Sequence, residues 1–164
     1  MIIYHGSTVI VEQPEILHSE RMLDFGTGFY TTSNKKQAIR WAERVADRRN
    51  TENEVLSIYE FDFEQAKQDL TMIRFAEPDD EWLDFVCGNR RGYESTEPYD
   101  IVFGPVADDK VYTVVQYYEN GVYDKKEAIK RLKTEELFDQ ILFHSEQSLT
   151  YCHFTGFEEL GGTK

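Results

Sequence analysis

The chain has 164 residues, of which 40% are hydrophobic and 14% aromatic, and its formal net charge is −13. This length suits one domain, and the apolar content is enough for a packed core, which excludes global disorder. The negative charge disfavours nucleic acid as a partner unless a local basic patch exists, and two cysteines provide neither a disulfide framework nor a four-ligand zinc site.

The N-terminal half is predicted to hold three strands and two helices. Apolar and β-branched runs predict the strands, and apolar side chains at helical spacing predict the helices. In chain order we expect a strand at Met1–Tyr4, a loop with one helical turn or more at Val9–Asp24, a strand at Phe29–Thr32, a helix from a Ser33 or Asn34 cap to about Arg49, a strand at Val55–Phe63 and a short helix at Glu64–Lys67.

The C-terminal half continues the same mixture without a regular β–α alternation, which favours an α+β fold over a doubly wound sheet. In chain order we expect a strand at Leu70–Phe75, a helix beginning near Pro78, an irregular segment at Gly88–Pro98, a strand at Asp100–Phe103, helices at Val111–Tyr118 and Lys125–Lys133, a strand at Leu137–His144, a helical turn after Ser145 and a strand at Tyr151–Phe157. Residues 1–160 are predicted to form a single domain and residues 161–164 a flexible tail.

Neither a membrane span nor a leader is expected. No stretch approaches the roughly 20 apolar residues of a membrane helix, and the N-terminus lacks the basic start of a signal peptide. We therefore expect a cytoplasmic protein that has no membrane partner.

Three segments that are distant in sequence are candidates for one ligand cleft. They are Tyr4-His5-Gly6-Ser7, Gly26-Thr27-Gly28-Phe29-Tyr30 and Phe138-Asp139-Gln140-Ile141-Leu142-Phe143-His144. Cleavage of the nicotinamide–ribose bond of NAD suits such a set, because the leaving group needs no proton and the protein supplies an aromatic platform, hydrogen bonds to the ribose and positioning. Each residue also has an ordinary explanation: a structural histidine, a strand aromatic, or an amide satisfied by the backbone.

The same residues resemble the ADP-ribosyltransferase superfamily, on the His–Tyr–Glu branch that includes diphtheria toxin and the poly(ADP-ribose) polymerases. His5-Gly6-Ser7 is similar to the motif that opens that domain, and Gly26–Thr31 to its tyrosine-bearing strand. Trp41 stands eleven residues after Tyr30, where the branch has a second stacking aromatic. Nearly the whole chain also resembles a bacterial domain family of unknown function, through Leu23–Thr32, Gln37–Ala42 and Tyr99–Asp108.

The superfamily resemblance implies a split β-sheet core with flanking helices and NAD as the substrate. It implies catalytic roles for His5 on the nicotinamide ribose, Tyr30 as a ring against nicotinamide and Gln140 as a group that orients the ribose. Gly6 would allow close backbone approach to the nicotinamide amide, and Trp41 would cover the other face of the ring, although core packing is the usual fate of such a tryptophan.

Two further residues are candidates for binding NAD. Ser7 either contacts a ribose or satisfies a turn. Arg21 either binds the pyrophosphate of NAD or forms a surface salt bridge. No metal site is expected from the spacing of the histidines.

Gln140 departs from the branch, which has a glutamate there. The amide keeps hydrogen bonds and loses the negative charge that steadies the ribosyl cation, so chain elongation is doubtful. Glu135, Glu136 and Glu146 are nearby substitutes, ranked below Gln140. The expected function is mono-ADP-ribosyl transfer to an unknown acceptor, with a neighbouring regulatory or antitoxin-like protein as a further partner. The alternative is a weakly active or inactive nucleotide-binding or protein-interaction module.

Overall fold

The computed structural model describes residues 1–16, 23–93, 98–105, 109–133 and 138–161. Within them, helices and strands are mixed along the chain, so the predicted α+β class is confirmed. The strands are β1 (Ile2–Ser7), β2 (Phe29–Thr31), β3 (Val55–Phe61), β4 (Met72–Arg74), β5 (Ile101–Pro105), β6 (Asp139–Phe143) and β7 (Cys152–Glu159). The helices are α1 (Lys35–Arg49), α2 (Phe63–Asp69), α3 (Asp80–Arg90), α4 (Asp109–Glu119), α5 (Lys125–Leu132) and α6 (Glu146–Leu149).

The strands form two sheets that meet at one point. The first sheet has the order β1-β3-β7 and is antiparallel, and the second has the order β2-β6-β5-β4, in which only β4 and β5 are parallel. An isolated bridge joins the sheets, because Tyr4 and Thr32 exchange backbone hydrogen bonds of 2.8 and 3.0 Å. The start of the chain is therefore held next to the end of β2.

Aromatic side chains fill two apolar clusters. In the first, Trp82 of α3 is fully buried and its indole Nε1 donates to the Pro105 carbonyl oxygen at 3.1 Å, so the polar atom of this large ring is satisfied. In the second, Phe61 packs edge-on against Phe143, with ring centroids 5.0 Å apart. The aromatic content of the sequence is therefore used mainly in the core.

Capping residues and strand pairing set the ends of several elements. The carboxamide of Asn34 accepts from the Gln37 backbone N–H, which begins α1 at Lys35. β1 extends past the predicted Tyr4 because its later residues pair with β3. β3 ends at Phe61, two residues before the predicted end, because Asp62 caps α2.

Asp100, which directly precedes β5, ties three segments of the chain together. Its Oδ1 accepts from the hydroxyl of Ser145, the N-cap of α6, at 2.6 Å, and its Oδ2 accepts from the Thr71 backbone N–H at 2.9 Å. Its backbone carbonyl also accepts from the His144 N–H. Parts of the predicted segment Val9–Asp24 and of the tail lie outside the described residues. Residues 9–16 contain neither helix nor strand, so the expected helical turn is not found in this described part.

Candidate active site

A cleft of about 1080 Å³ opens where the two sheets meet. The cleft is lined by β1, β2, Gln140 of β6, helices α1 and α4, the loops that follow β1 and precede β2, and Arg90 at the end of α3. Five of the predicted site residues line it together, namely His5, Gly6, Tyr30, Trp41 and Gln140. The structure thus brings into one hollow residues that the sequence spreads over 136 positions, from 5 to 140.

His5 is held by a backbone group of the neighbouring strand. Its Nδ1 lies 2.8 Å from the Tyr30 carbonyl oxygen, and because a carbonyl only accepts, Nδ1 carries the hydrogen. Burial lowers the pKa of His5 below its ordinary 6.5, partly offset by this hydrogen bond, so the ring is neutral at pH 7. Nε2 is then an acceptor, and no described residue bonds it. A ligand hydroxyl in the cleft would meet an acceptor there.

Tyr30 presents a ring whose position is fixed from its far end. Its hydroxyl donates to the Gly26 carbonyl oxygen at 2.5 Å and accepts from the Phe25 N–H at 3.3 Å. Burial raises the pKa of this hydroxyl well above its usual range, so it stays protonated. The phenol therefore anchors the ring to the glycine turn and leaves the ring, rather than the hydroxyl, as the surface offered to a ligand.

Gln140 lies on the same face of the second sheet as Tyr30. Tyr30 pairs with Leu142 across β2 and β6, and residue 140 is two positions from Leu142, so both side chains point to one side. No hydrogen bond joins the Gln140 side chain to another residue in the described ranges. Its amide is thus available in the cleft, unlike that of a glutamine satisfied by the backbone.

Trp41 does not lie in the core. Its side chain is 47% exposed, and the guanidinium of Arg48 stacks over it at 5.1 Å. The residues of α1 that are buried are instead the three alanines Ala38, Ala42 and Ala46. The Trp41 ring, on the same helix, forms part of the cleft wall.

Gly6 has a packing reason besides any ligand. A Cβ at this position would lie 2.0 Å from the Ala38 carbonyl oxygen and 2.8 Å from the Ala42 nitrogen, so only glycine lets α1 approach β1 this closely. Ser7 is not among the residues that line the cleft. Its hydroxyl donates to the Val9 carbonyl oxygen at 2.6 Å and accepts from the Val9 N–H, which is the turn role.

None of the remaining candidates is a described residue that lines the cleft. Arg21, Glu135 and Glu136 lie outside the described residues. Glu146 is in the first turn of α6 and does not line the cleft. In the part of the chain that the structure describes, no three acidic, histidine or cysteine side chains form a group that could hold a metal ion.

A family model described as "Protein of unknown function (DUF3990)" matches residues 1–154. The chain belongs to this family. The resemblance to a domain family of unknown function is thereby confirmed. No curated protein and no solved structure matches the chain significantly. Within the described ranges, no helix has the length and apolar character needed to cross a bilayer.

Two contacts were not predicted from the sequence, one in the cleft and one beside it. Arg90 forms an ion pair with Asp24, in which Nε lies 2.6 Å from Oδ1, and both residues line the cleft. Asp139, next to Gln140, accepts from the backbone N–H and the hydroxyl of Ser33 and from the Thr32 hydroxyl. It thereby fixes the junction of β2 and α1 to β6. Neither pairing follows a local sequence pattern, because 66 residues separate the first pair and 106 the second.

Proposed function

We propose that the protein binds NAD in the cleft, cleaves the nicotinamide–ribose bond and transfers ADP-ribose to an acceptor. The observation that carries this proposal is the convergence of His5, Tyr30, Trp41 and Gln140 on one cleft. These are the residues whose types and order suggested nicotinamide chemistry. The division of the strands into two sheets that meet beside His5 supports an ADP-ribosyltransferase-like split sheet.

The site chemistry supports a division of roles. In this proposal the nicotinamide ring stacks between the fixed ring of Tyr30 and the exposed ring of Trp41, which line the same cleft, since aromatic faces stack on flat heterocycles. Neutral His5 accepts a hydrogen bond from a ribose hydroxyl through Nε2, and the Gln140 amide orients the same sugar. The bond then breaks to give free nicotinamide and a ribosyl cation, which an acceptor nucleophile or water captures.

The absence of charge at residue 140 limits the reaction. An amide hydrogen-bonds the ribose but does not offset the developing positive charge, so a large part of the electrostatic stabilisation is lost. Transfer of a single ADP-ribose, or slow hydrolysis of NAD, fits such a site better than polymer formation does.

The second candidate is a module that binds a nucleotide or a protein without turnover. The uncharged amide of Gln140 in the cleft favours it, because fast cleavage would need a carboxylate near the ribose. The two candidates differ in whether bound NAD is consumed.

Calorimetric titration of NAD, with chromatography of the products, separates them. Heat with released nicotinamide supports the enzyme, heat without release supports the binding module, and no heat contradicts both. His5→Ala is expected to abolish release, whereas His153→Ala, a control at an exposed histidine on β7, is expected to leave it unchanged. Equal release from the two variants would contradict the role of His5.

A further inference from the structure

Arg90 has an unused hydrogen-bond donor beside the cleft. Its side chain is only 10% exposed, and Nε is committed to Asp24. Nη1 is enclosed and has no hydrogen-bond partner. It is the only buried side-chain nitrogen or oxygen in the described part of the chain with this property. A buried donor of a charged group that lacks a partner is costly, so such a group commonly has a ligand or another task.

The position of Arg90 relates it to the nicotinamide platform. Its partner Asp24 is followed directly by Phe25 and Gly26, whose backbone groups hold the Tyr30 hydroxyl. The guanidinium is therefore attached to the turn that fixes the Tyr30 ring. In the proposed binding mode, the diphosphate that follows the nicotinamide ribose extends into the same cleft, which Arg90 also lines.

Charge opposes an anion less in the cleft than over the rest of the protein surface. The chain has 31 acidic and 18 basic residues, but the cleft is lined by four carboxylates and three arginines. The acidic residues are Glu15, Asp24, Asp47 and Glu119, and the arginines are Arg44, Arg48 and Arg90. The charges that line the cleft are thus nearly balanced on a strongly acidic protein, so a phosphate is repelled less there than elsewhere, and a guanidinium can bind it.

We infer that the guanidinium of Arg90 binds the diphosphate of a dinucleotide, with Nη1 as the donor that the ligand satisfies. The inference rests on the proposed function, because it takes the same cleft to be the NAD site. The Tyr112 ring lies 4.6 Å from the guanidinium carbon and is 48% exposed. Because Nη1 is enclosed, the inference requires a side chain beside it to move when the ligand binds, and Tyr112 is the candidate. A planar fork of donors is well suited to phosphate oxygens.

Calorimetry with ADP-ribose, ADP and nicotinamide tests this role. Arg90→Gln is expected to weaken the binding of ADP-ribose and of ADP by about tenfold or more, which is the contribution of one or two charge-assisted hydrogen bonds. The affinity for nicotinamide is expected to stay unchanged. Arg131→Gln is the matched control: Arg131 has the same pair of contacts, Nε to Glu127 at 2.7 Å and a tyrosine ring at 4.5 Å, outside the cleft. Equal losses in the two variants, or no loss in Arg90→Gln, would overturn the inference, as would absence of ADP-ribose binding to the unmodified protein.

Asp24→Asn separates phosphate binding from a purely structural ion pair. This variant weakens the support of the turn but keeps the guanidinium and removes a neighbouring negative charge. ADP-ribose affinity is expected to stay equal or rise, and a fall matching that of Arg90→Gln would overturn the inference. The variant also decides the matter if Arg90→Gln does not fold. Failure of the proposed function is distinguishable, because it appears as intact NAD after incubation while the Arg90-dependent ADP-ribose affinity persists.

Discussion

Placing a carboxylate at residue 140 is expected to accelerate NAD cleavage. Tyr30 pairs with Leu142, so residues 30 and 140 are diagonal neighbours on one face, about 7–8 Å apart. In the proposed binding mode, a nicotinamide on Tyr30 has its ribose beside residue 140. A full positive charge about 5 Å from a carboxylate gains about 3 kcal/mol at an effective dielectric constant near 20. Desolvation of the carboxylate and the partial charge of the transition state reduce this to about 1.5 kcal/mol, which corresponds to about tenfold in rate.

The assay is nicotinamide release from NAD at pH 7.5, measured for Gln140→Glu and for Gln116→Glu. Gln116 lies on α4 and also lines the cleft, so its variant adds the same charge from another element. Only Gln140→Glu is expected to be faster. Urea unfolding checks that both variants are folded. An unchanged rate in a folded Gln140→Glu protein, or an equal gain in the control, would refute the placement of the ribose.

Three further changes test the site. First, His5→Gln removes an imidazole whose pKa is lowered by burial. Because the unfolded chain binds the proton first, the unmodified protein is expected to lose stability relative to the variant as the pH falls below 6.5. Urea-unfolding free energies of the two proteins that stay parallel between about pH 8 and 5 would contradict this. Second, Gly6→Ala places a Cβ 2.0 Å from the Ala38 carbonyl oxygen and is expected to lower the free energy of unfolding by about 3 kcal/mol. A loss below about 1 kcal/mol in urea unfolding would argue against the tight contact between β1 and α1. Third, Trp41→Ala removes a ring that is 47% exposed. It is expected to lower NAD affinity roughly tenfold in calorimetry and to change the melting temperature little. A large drop in the melting temperature would indicate that Trp41 stabilises the core instead.

Local patterns in the sequence were sufficient for most elements. A cap at Ser33 or Asn34 and the spacing of the apolar residues on α1 predict that helix to within a residue or two, because capping and helical periodicity act over only a few positions. The glycines at 26 and 28, with φ of +88° and +151°, likewise mark the turn before β2, since other residues rarely adopt these angles. Where a strand ended because of a partner elsewhere, the prediction was less accurate, as at β1, which continues through Ser7 by pairing with β3.

The sequence by itself determined the α+β class, the caps and turns, and the chemical types available for a site, because these depend on short-range backbone preferences. Only the tertiary structure decided that Trp41 faces a cleft rather than the core, that Gly6 admits α1, and that Arg90 meets Asp24. The physical reason is that each of these facts depends on contacts between segments far apart in the chain, and neither propensity nor periodicity carries information about which distant surfaces pack together.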